Sequence, residues 1–155
     1  MMTLNNFVAL WLHSAQIRPP QYPYEIAGSN SGVTLYRDEK FQVQLWICPP
    51  NTDISDHAHP NIDGWAIKVA GDIRFRKHGR PVGMHDIKIV TWGGMRTPMI
   101  RVGKDESHGV EIGPAGGSFL AVTERLDGTH PSSVHLDWCG KPLDDDHAEQ
   151  LRRIA

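Results

Sequence analysis

The stretch Asp56-His57-Ala58-His59-Pro60-Asn61-Ile62-Asp63-Gly64-Trp65-Ala66-Ile67-Lys68-Val69-Ala70-Gly71 sets two histidines two positions apart, just before an apolar, strand-like run closed by glycine. In an extended chain successive side chains alternate faces, so His57 and His59 project the same way. Two imidazoles on one face make a chelate that lacks at least one further ligand. His108 is the candidate, because it follows the polar turn Gly103-Lys104-Asp105-Glu106-Ser107 and enters a later strand-like run. Three such imidazoles leave coordination positions open, as a catalytic metal requires. The alternative is a pair of exposed histidines beside a hydrogen-bonded third.

On both sides of this stretch the chain has the texture of a β domain. Short runs rich in Val, Ile, Thr and aromatics alternate with Gly- and Pro-marked turns, which predicts strands at Gly32 to Tyr36, Phe41 to Ile47, Trp65 to Ala70, Asp72 to Arg76, Asp86 to Val90, Met99 to Val102, Gly109 to Ile112 and Ser118 to Leu126. Turns are expected at Gly71-Asp72, His78-Gly79-Arg80-Pro81, Gly93-Gly94, Gly103-Lys104-Asp105 and Gly113-Pro114-Ala115-Gly116-Gly117. Phe41-Gln42-Val43-Gln44-Leu45 alternates cleanly, giving a strand with one apolar and one polar face. Before the strands, Leu4, Phe7, Val8, Trp11 and Leu12 recur at helical spacing until Arg18-Pro19-Pro20. After them, positions 144–154 open with Asp144-Asp145-Asp146 and end with Arg152 and Arg153, the charge order of a short helix. The expectation is one all-β domain over residues 1–155, a sandwich or barrel of about eight strands with a helix at each end.

A chain of 155 residues can bury a real core, and a formal net charge of −2 gives no electrostatic reason to expect nucleic acid or an anionic membrane as partner. With no apolar run of about 20 residues and no basic-then-apolar start, a cytoplasmic protein is expected. Cys48 and Cys139, the two cysteines, are expected as reduced thiols, Cys48 buried on a strand. Of the nine histidines, His13, His78, His85, His130, His135 and His147 fall on helix, turns and tail, and read as solvated or structural.

The histidine stretch resembles the first motif of the cupin superfamily, G-x5-H-x-H-x(3,4)-E-x6-G, with His57, His59 and Gly71 at its histidines and last glycine and Gly64 in the glutamate slot. His108 matches the histidine of the second motif, without the usual asparagine. The resemblance covers about residues 32 to 126 and implies a jelly-roll β-barrel. It also implies a metal on His57, His59 and His108, and a homodimer built on sheet edges. Loss of the glutamate narrows the comparison to three-histidine iron enzymes. Among these, the cysteine dioxygenase-like thiol dioxygenases are similar through Lys40-Phe41-Gln42-Val43-Gln44-Leu45-Trp46, Pro49-Pro50 and Asp56-His57-Ala58-His59.

The resemblance therefore implies Fe(II), with Zn, Ni or Mn as other ions, and oxidation of a small molecule such as a thiol by O2. Trp65 would wall the pocket, or else simply fill the core. Alternation over Ser118-Phe119-Leu120-Ala121-Val122-Thr123-Glu124-Arg125 groups Ala121, Thr123 and Arg125, so Thr123 and Arg125 are candidate substrate contacts. An arginine facing solvent at the strand end is the rival reading for Arg125. The chain departs from the thiol dioxygenases in having no tyrosine after Tyr36 and no well-spaced upstream arginine, only Arg18 and Arg37. Two other classes stay open: a metal-dependent isomerase or lyase, and a non-catalytic cupin acting as a small-ligand sensor or interaction module.

Overall fold

The computed structural model describes residues 1–14, 31–129, 131 and 133–135. The expected C-terminal helix over 144–154, Arg18, His130, His147 and Cys139 lie outside the described residues. Among the described residues one α-helix, α1 (Leu4–Ser14), precedes nine strands: β1 (Ser31–Arg37), β2 (Phe41–Cys48), β3 (Asp53–Ala58), β4 (Ile62–Lys77), β5 (Arg80–Pro81), β6 (Ile87–Trp92), β7 (Met95–Val102), β8 (His108–Arg125) and β9 (Val134–His135). All strand pairings are antiparallel, in the order β1-β2-β8-β4-β7-β6, with β3 between β8 and β9 and β5 on the end of β4. No helix among the described residues is long and apolar enough to cross a membrane.

Two expected turns are absent, and their absence makes the architecture. Gly71-Asp72 and Gly113-Pro114-Ala115-Gly116-Gly117 do not end strands; β4 and β8 run through them and stay paired on both sides, from Ile62↔Arg125 to Lys77↔His108. The register shifts between Lys68 and Ala70 and again between Gly71 and Ile73, so the ribbon bends instead of breaking. Glycine is required here. Gly71 has φ +77°, Gly116 has φ +65°, and a Cβ on Gly71 would lie 2.2 Å from the Gly116 carbonyl oxygen and 2.5 Å from Gly117 Cα. The four candidate strands at 65–70, 72–76, 109–112 and 118–126 are thus two long strands folded at one glycine corner. The first half of the ribbon joins β2 and β7, and the second half joins β3 and β5. Apolar residues from the two halves, including Ala66, Phe119, Phe75 and Val110, share one cluster.

A second core lies on the other face of the β2–β8–β4 wall. There α1 sets Leu4, Phe7 and Val8 against Phe41, Val43, Trp65, Ile67, Leu120 and Val122. Thr3 caps the helix, its hydroxyl accepting from Asn6 N–H at 3.3 Å. Phe7 stacks on Phe41 with ring centroids 4.3 Å apart and planes within 8°. Each of these fully buried side chains contributes about 1.5–3 kcal/mol of transfer free energy. With the apolar face of β2 occupied by the helix, its polar face, Gln42 and Gln44, is turned inward.

Candidate metal centre

β3 and the start of β8 place the three histidines. His57 stands opposite His108 across the β3–β8 pair, so the two side chains share a face, and His59 follows directly after β3. Ring centroids are 4.3 Å apart for His57 and His108, 4.9 Å for His57 and His59, and 5.1 Å for His59 and His108. Their donor atoms all lie within 4.8 Å of one another, close enough to converge on one ion by small ring rotations.

Each ring is held from behind through Nδ1. His57 Nδ1 lies 2.8 Å from the Ser55 carbonyl, His108 Nδ1 lies 2.9 Å from the Glu106 carbonyl, and His59 Nδ1 meets Ser133 Oγ at 3.2 Å. A carbonyl can only accept, so His57 and His108 carry their proton on Nδ1 and keep Nε2 as a lone-pair donor. Outer hydrogen bonds of this kind are what orients metal-ligating histidines. Burial, with the charge of His57 next, pushes the imidazolium of His108 down to a pKa of about 3, so at neutral pH it is an unprotonated ligand. The donor set and its outer partners fit a divalent transition metal.

Two ion-pair assemblies fix the segments that carry these rings. Glu106 accepts from Lys77 Nζ and from Gly103 N–H, each at 2.8 Å. Burial opposes its charge, but these donors hold its carboxyl below the usual range. The same loop is tied to the histidine strand by Asp105 N–H donating to His59 O at 2.9 Å. Arg76 of β4 crosses over β8 to β3. It donates to Asp53 at 2.5 and 3.0 Å, to the Ile54 carbonyl at 3.2 Å and to Asp56 at 3.2 Å. The crossing passes over Gly109, where a Cβ would lie 2.3 Å from Asp56 Oδ1 and 2.8 Å from Arg76 Nη2. Arg76 is therefore a clamp on the strand of His57 and not a solvated charge.

No carboxylate joins the histidines among the described residues. Asp63 accepts from Arg101 Nη2 at 2.7 Å and from Lys104 N–H at 3.2 Å, so both its oxygens are engaged away from the rings. Gly64, in the glutamate slot, leaves little room: a Cβ there would lie 3.1 Å from both Thr123 Cγ2 and the Val122 carbonyl.

A cavity of about 480 Å³ opens beside the three rings. Thr123 lines it, as does Ala121. Trp65 borders it where β4 passes, but its indole lies on the other face of the strand, donating to Asn5 Oδ1 of α1 at 3.1 Å, with Lys88 Nζ 4.8 Å and Arg101 5.5 Å from the ring. The one-residue step from Gly64, which faces in, turns Trp65 out. Arg125 is not among the lining residues. It is 8 % exposed, and its guanidinium donates to the carbonyls of Asp38 and Gly128, tying the strand end to the β1–β2 turn. Cys48 is buried away from the cavity, and burial pushes its thiol up to about 12, too high for a thiolate near neutrality.

Gln42 and Gln44, which sequence reasoning passed over, do line the cavity. Their signal was the alternation of β2, whose polar face would ordinarily be assigned to solvent. It points inward because α1 takes the other side. Ser133, behind His59, carried no sequence signal.

The chain matches no protein-family model and no curated protein. Solved structures similar to it in fold include the DMSP lyase DddQ from Ruegeria pomeroyi, 13% identical over 72% of this chain and 55% of that one, with a TM-score of 0.50. The coconut allergen cocosin is 11% identical over 85% of this chain and 36% of its own, with a TM-score of 0.52. A protein with a double-stranded β-helix domain from Klebsiella pneumoniae is 16% identical over 72% and 90% of the two chains, with a TM-score of 0.49. At these identities the likeness is one of fold, and the fold is the double-stranded β-helix of cupin domains. Nothing in the comparisons singles out cysteine dioxygenase-like proteins.

Proposed function

We propose that the protein is a non-haem Fe(II) dioxygenase that oxidises a small molecule, with the metal on Nε2 of His57 and His108 and on His59. The observation that carries this reading is the set of three imidazoles, each held through Nδ1, at the edge of an open cavity. Imidazole suits iron, zinc and nickel alike, and three neutral ligands leave the ion's full charge for an anionic substrate atom and O2. Iron bound there would supply redox activity and adjacent coordination positions for O2 and a substrate that gives up the electrons.

The chain's own residues orient and enclose. Ser55 and Glu106 carbonyls fix the tautomers, Trp46, Phe75 and Phe119 make an apolar wall, and Thr123 and the two glutamines offer hydrogen bonds. The cavity lining argues against the isomerase or lyase reading. No Asp, Glu, Lys, Arg or Tyr lines it among the described residues, so among them the histidines alone are placed to act as general acid or base. Oxidation of a thiol or enol needs only the loss of its own proton to solvent as it binds the metal.

The test is oxygen uptake by iron-reconstituted protein across a panel of thiols and enols, run beside metal analysis. Uptake that tracks iron content and disappears in His57→Ala supports the reading. Tight metal binding without uptake on any of them refutes it and favours a ligand sensor. Pairing through sheet edges, with β1 and β6 as the outer strands of the main sheet, is the homodimer this reading carries.

A further inference from the structure

Gln42 is 3 % exposed, yet its side-chain amide makes no hydrogen bond to any other described residue, and neither does that of Gln44. Both line the cavity. Two carboxamides that reach the cavity from one strand face, engaged by no other described residue, can pair with a ligand held there.

The space before them is kept clear by small residues. Gln42 stands opposite Thr123, which stands opposite Gly64; Gln44 stands opposite Ala121, which stands opposite Ala66. A shelf of Gly64, Ala66 and Ala121 therefore adjoins the glutamines. Beyond it the wall is aromatic: Trp46 stacks on Phe119 at 6.4 Å, and Phe75 meets Phe119 edge-on at 5.9 Å. No Lys or Arg is among the described lining residues, so a carboxylate on the substrate would enter without a counter-charge. An ammonium would likewise find no Asp or Glu among the described lining residues.

We infer that this cavity selects a substrate whose metal-binding atom is its only charge, a thiol or enol with an uncharged amide or carbonyl that pairs with the carboxamides of Gln42 and Gln44. The inference rests on the metal centre proposed above but not on its reaction with oxygen. A carboxamide donates and accepts at once, so an amide can exchange two hydrogen bonds with one glutamine. The shelf accommodates the flat group, and the aromatic wall covers the remaining carbons.

The experiment is calorimetric titration of the zinc-loaded full-length protein, with zinc chosen because it holds the site without redox chemistry. Three probes are compared: N-acetylcysteamine, 1-butanethiol and 3-mercaptopropionate. The expected order places N-acetylcysteamine about tenfold tighter than either of the others, the equivalent of two modest net hydrogen bonds. In Gln42→Leu/Gln44→Leu it falls to the level of 1-butanethiol, whose own affinity stays within about twofold while zinc content is retained. Gln44→Leu alone gives an intermediate loss and serves if the double variant fails to fold. Binding of 3-mercaptopropionate as tight as that of the amide thiol overturns the inference. So does an amide preference that survives the double variant, or absence of binding by the amide thiol. Protein that retains no zinc overturns this and the dioxygenase reading together. The expected binding order without oxygen uptake by the iron form supports the inference and overturns the dioxygenase alone.

Discussion

Acidifying the metal-free protein from pH 7 to pH 5 destabilises it through His108. In the folded protein, burial and then the neighbouring charge of His57 lower its pKa to about 3, whereas in the unfolded chain it titrates near the ordinary value of 6.5. Between these limits the unfolded state binds a proton that the folded state refuses, so stability rises with pH and falls on acidification. At pH 5 the unfolded imidazole is 1.5 pH units below its midpoint and the folded one remains neutral. At 1.36 kcal/mol per pH unit the difference is ~2 kcal/mol, against a few tenths at pH 7. The assay is urea denaturation of apo protein at pH 7, 6 and 5, for the wild type and for His108→Asn. The difference between the two pH profiles reads the contribution that depends on His108. The wild-type profile should fall more steeply by ~2 kcal/mol, and saturating zinc at pH 7 should stabilise the wild type alone. Parallel profiles would refute the claim that His108 is enclosed and neutral.

Three other outcomes follow from the geometry. His57→Ala should weaken metal binding by more than about 100-fold, since loss of even an outer partner commonly costs 10–100-fold, and metal analysis after dialysis reads it. Gly71→Ala should cost about 4 kcal/mol in urea denaturation, combining a left-handed backbone with a clash against Gly116, whereas Gly94→Ala, at φ +79° with nothing within 4 Å, should cost only ~1–2 kcal/mol; equal costs refute the corner. Arg125→Leu should lower stability by about 2–4 kcal/mol by stranding the carbonyls of Asp38 and Gly128, with metal content and thiol affinity unchanged; a selective loss of thiol affinity would restore a substrate role.

What the sequence made legible was set by how local each signal is. His57, His59 and the direction of their side chains follow from strand periodicity, and His108 from its position at the head of a late strand. The helical spacing of Leu4, Phe7 and Val8 likewise marks the face that is buried. Periodicity, however, tells which residues share a face and not what that face meets. Trp65 and Gln42 show this most directly: a helix about 30 to 60 positions away in the chain takes the face that carries the Trp65 indole and leaves the face of Gln42 to the cavity. Gly71 and the 113–117 run fail for a different reason. Glycine clusters signal a change of direction, and a tight turn and a bend in two strands that remain paired use the same residues. Arg125 was decided by two backbone carbonyls, Asp38 and Gly128, that leave no trace in composition.

The position of α1 also has a bearing on the order in which the chain is made. Its apolar stripe leaves the ribosome well before the wall it covers, which is completed only when Leu120 and Val122 have been added. During that interval Leu4, Phe7 and Val8 have no finished surface to meet, and neither do Phe41 and Val43. The longest pairing, β4 with β8, also joins residues about 30 to 60 positions apart and cannot form until late in synthesis. Nascent chains of this protein are therefore sticky at α1 until nearly the whole barrel has emerged. Chaperone capture during translation should concentrate on α1.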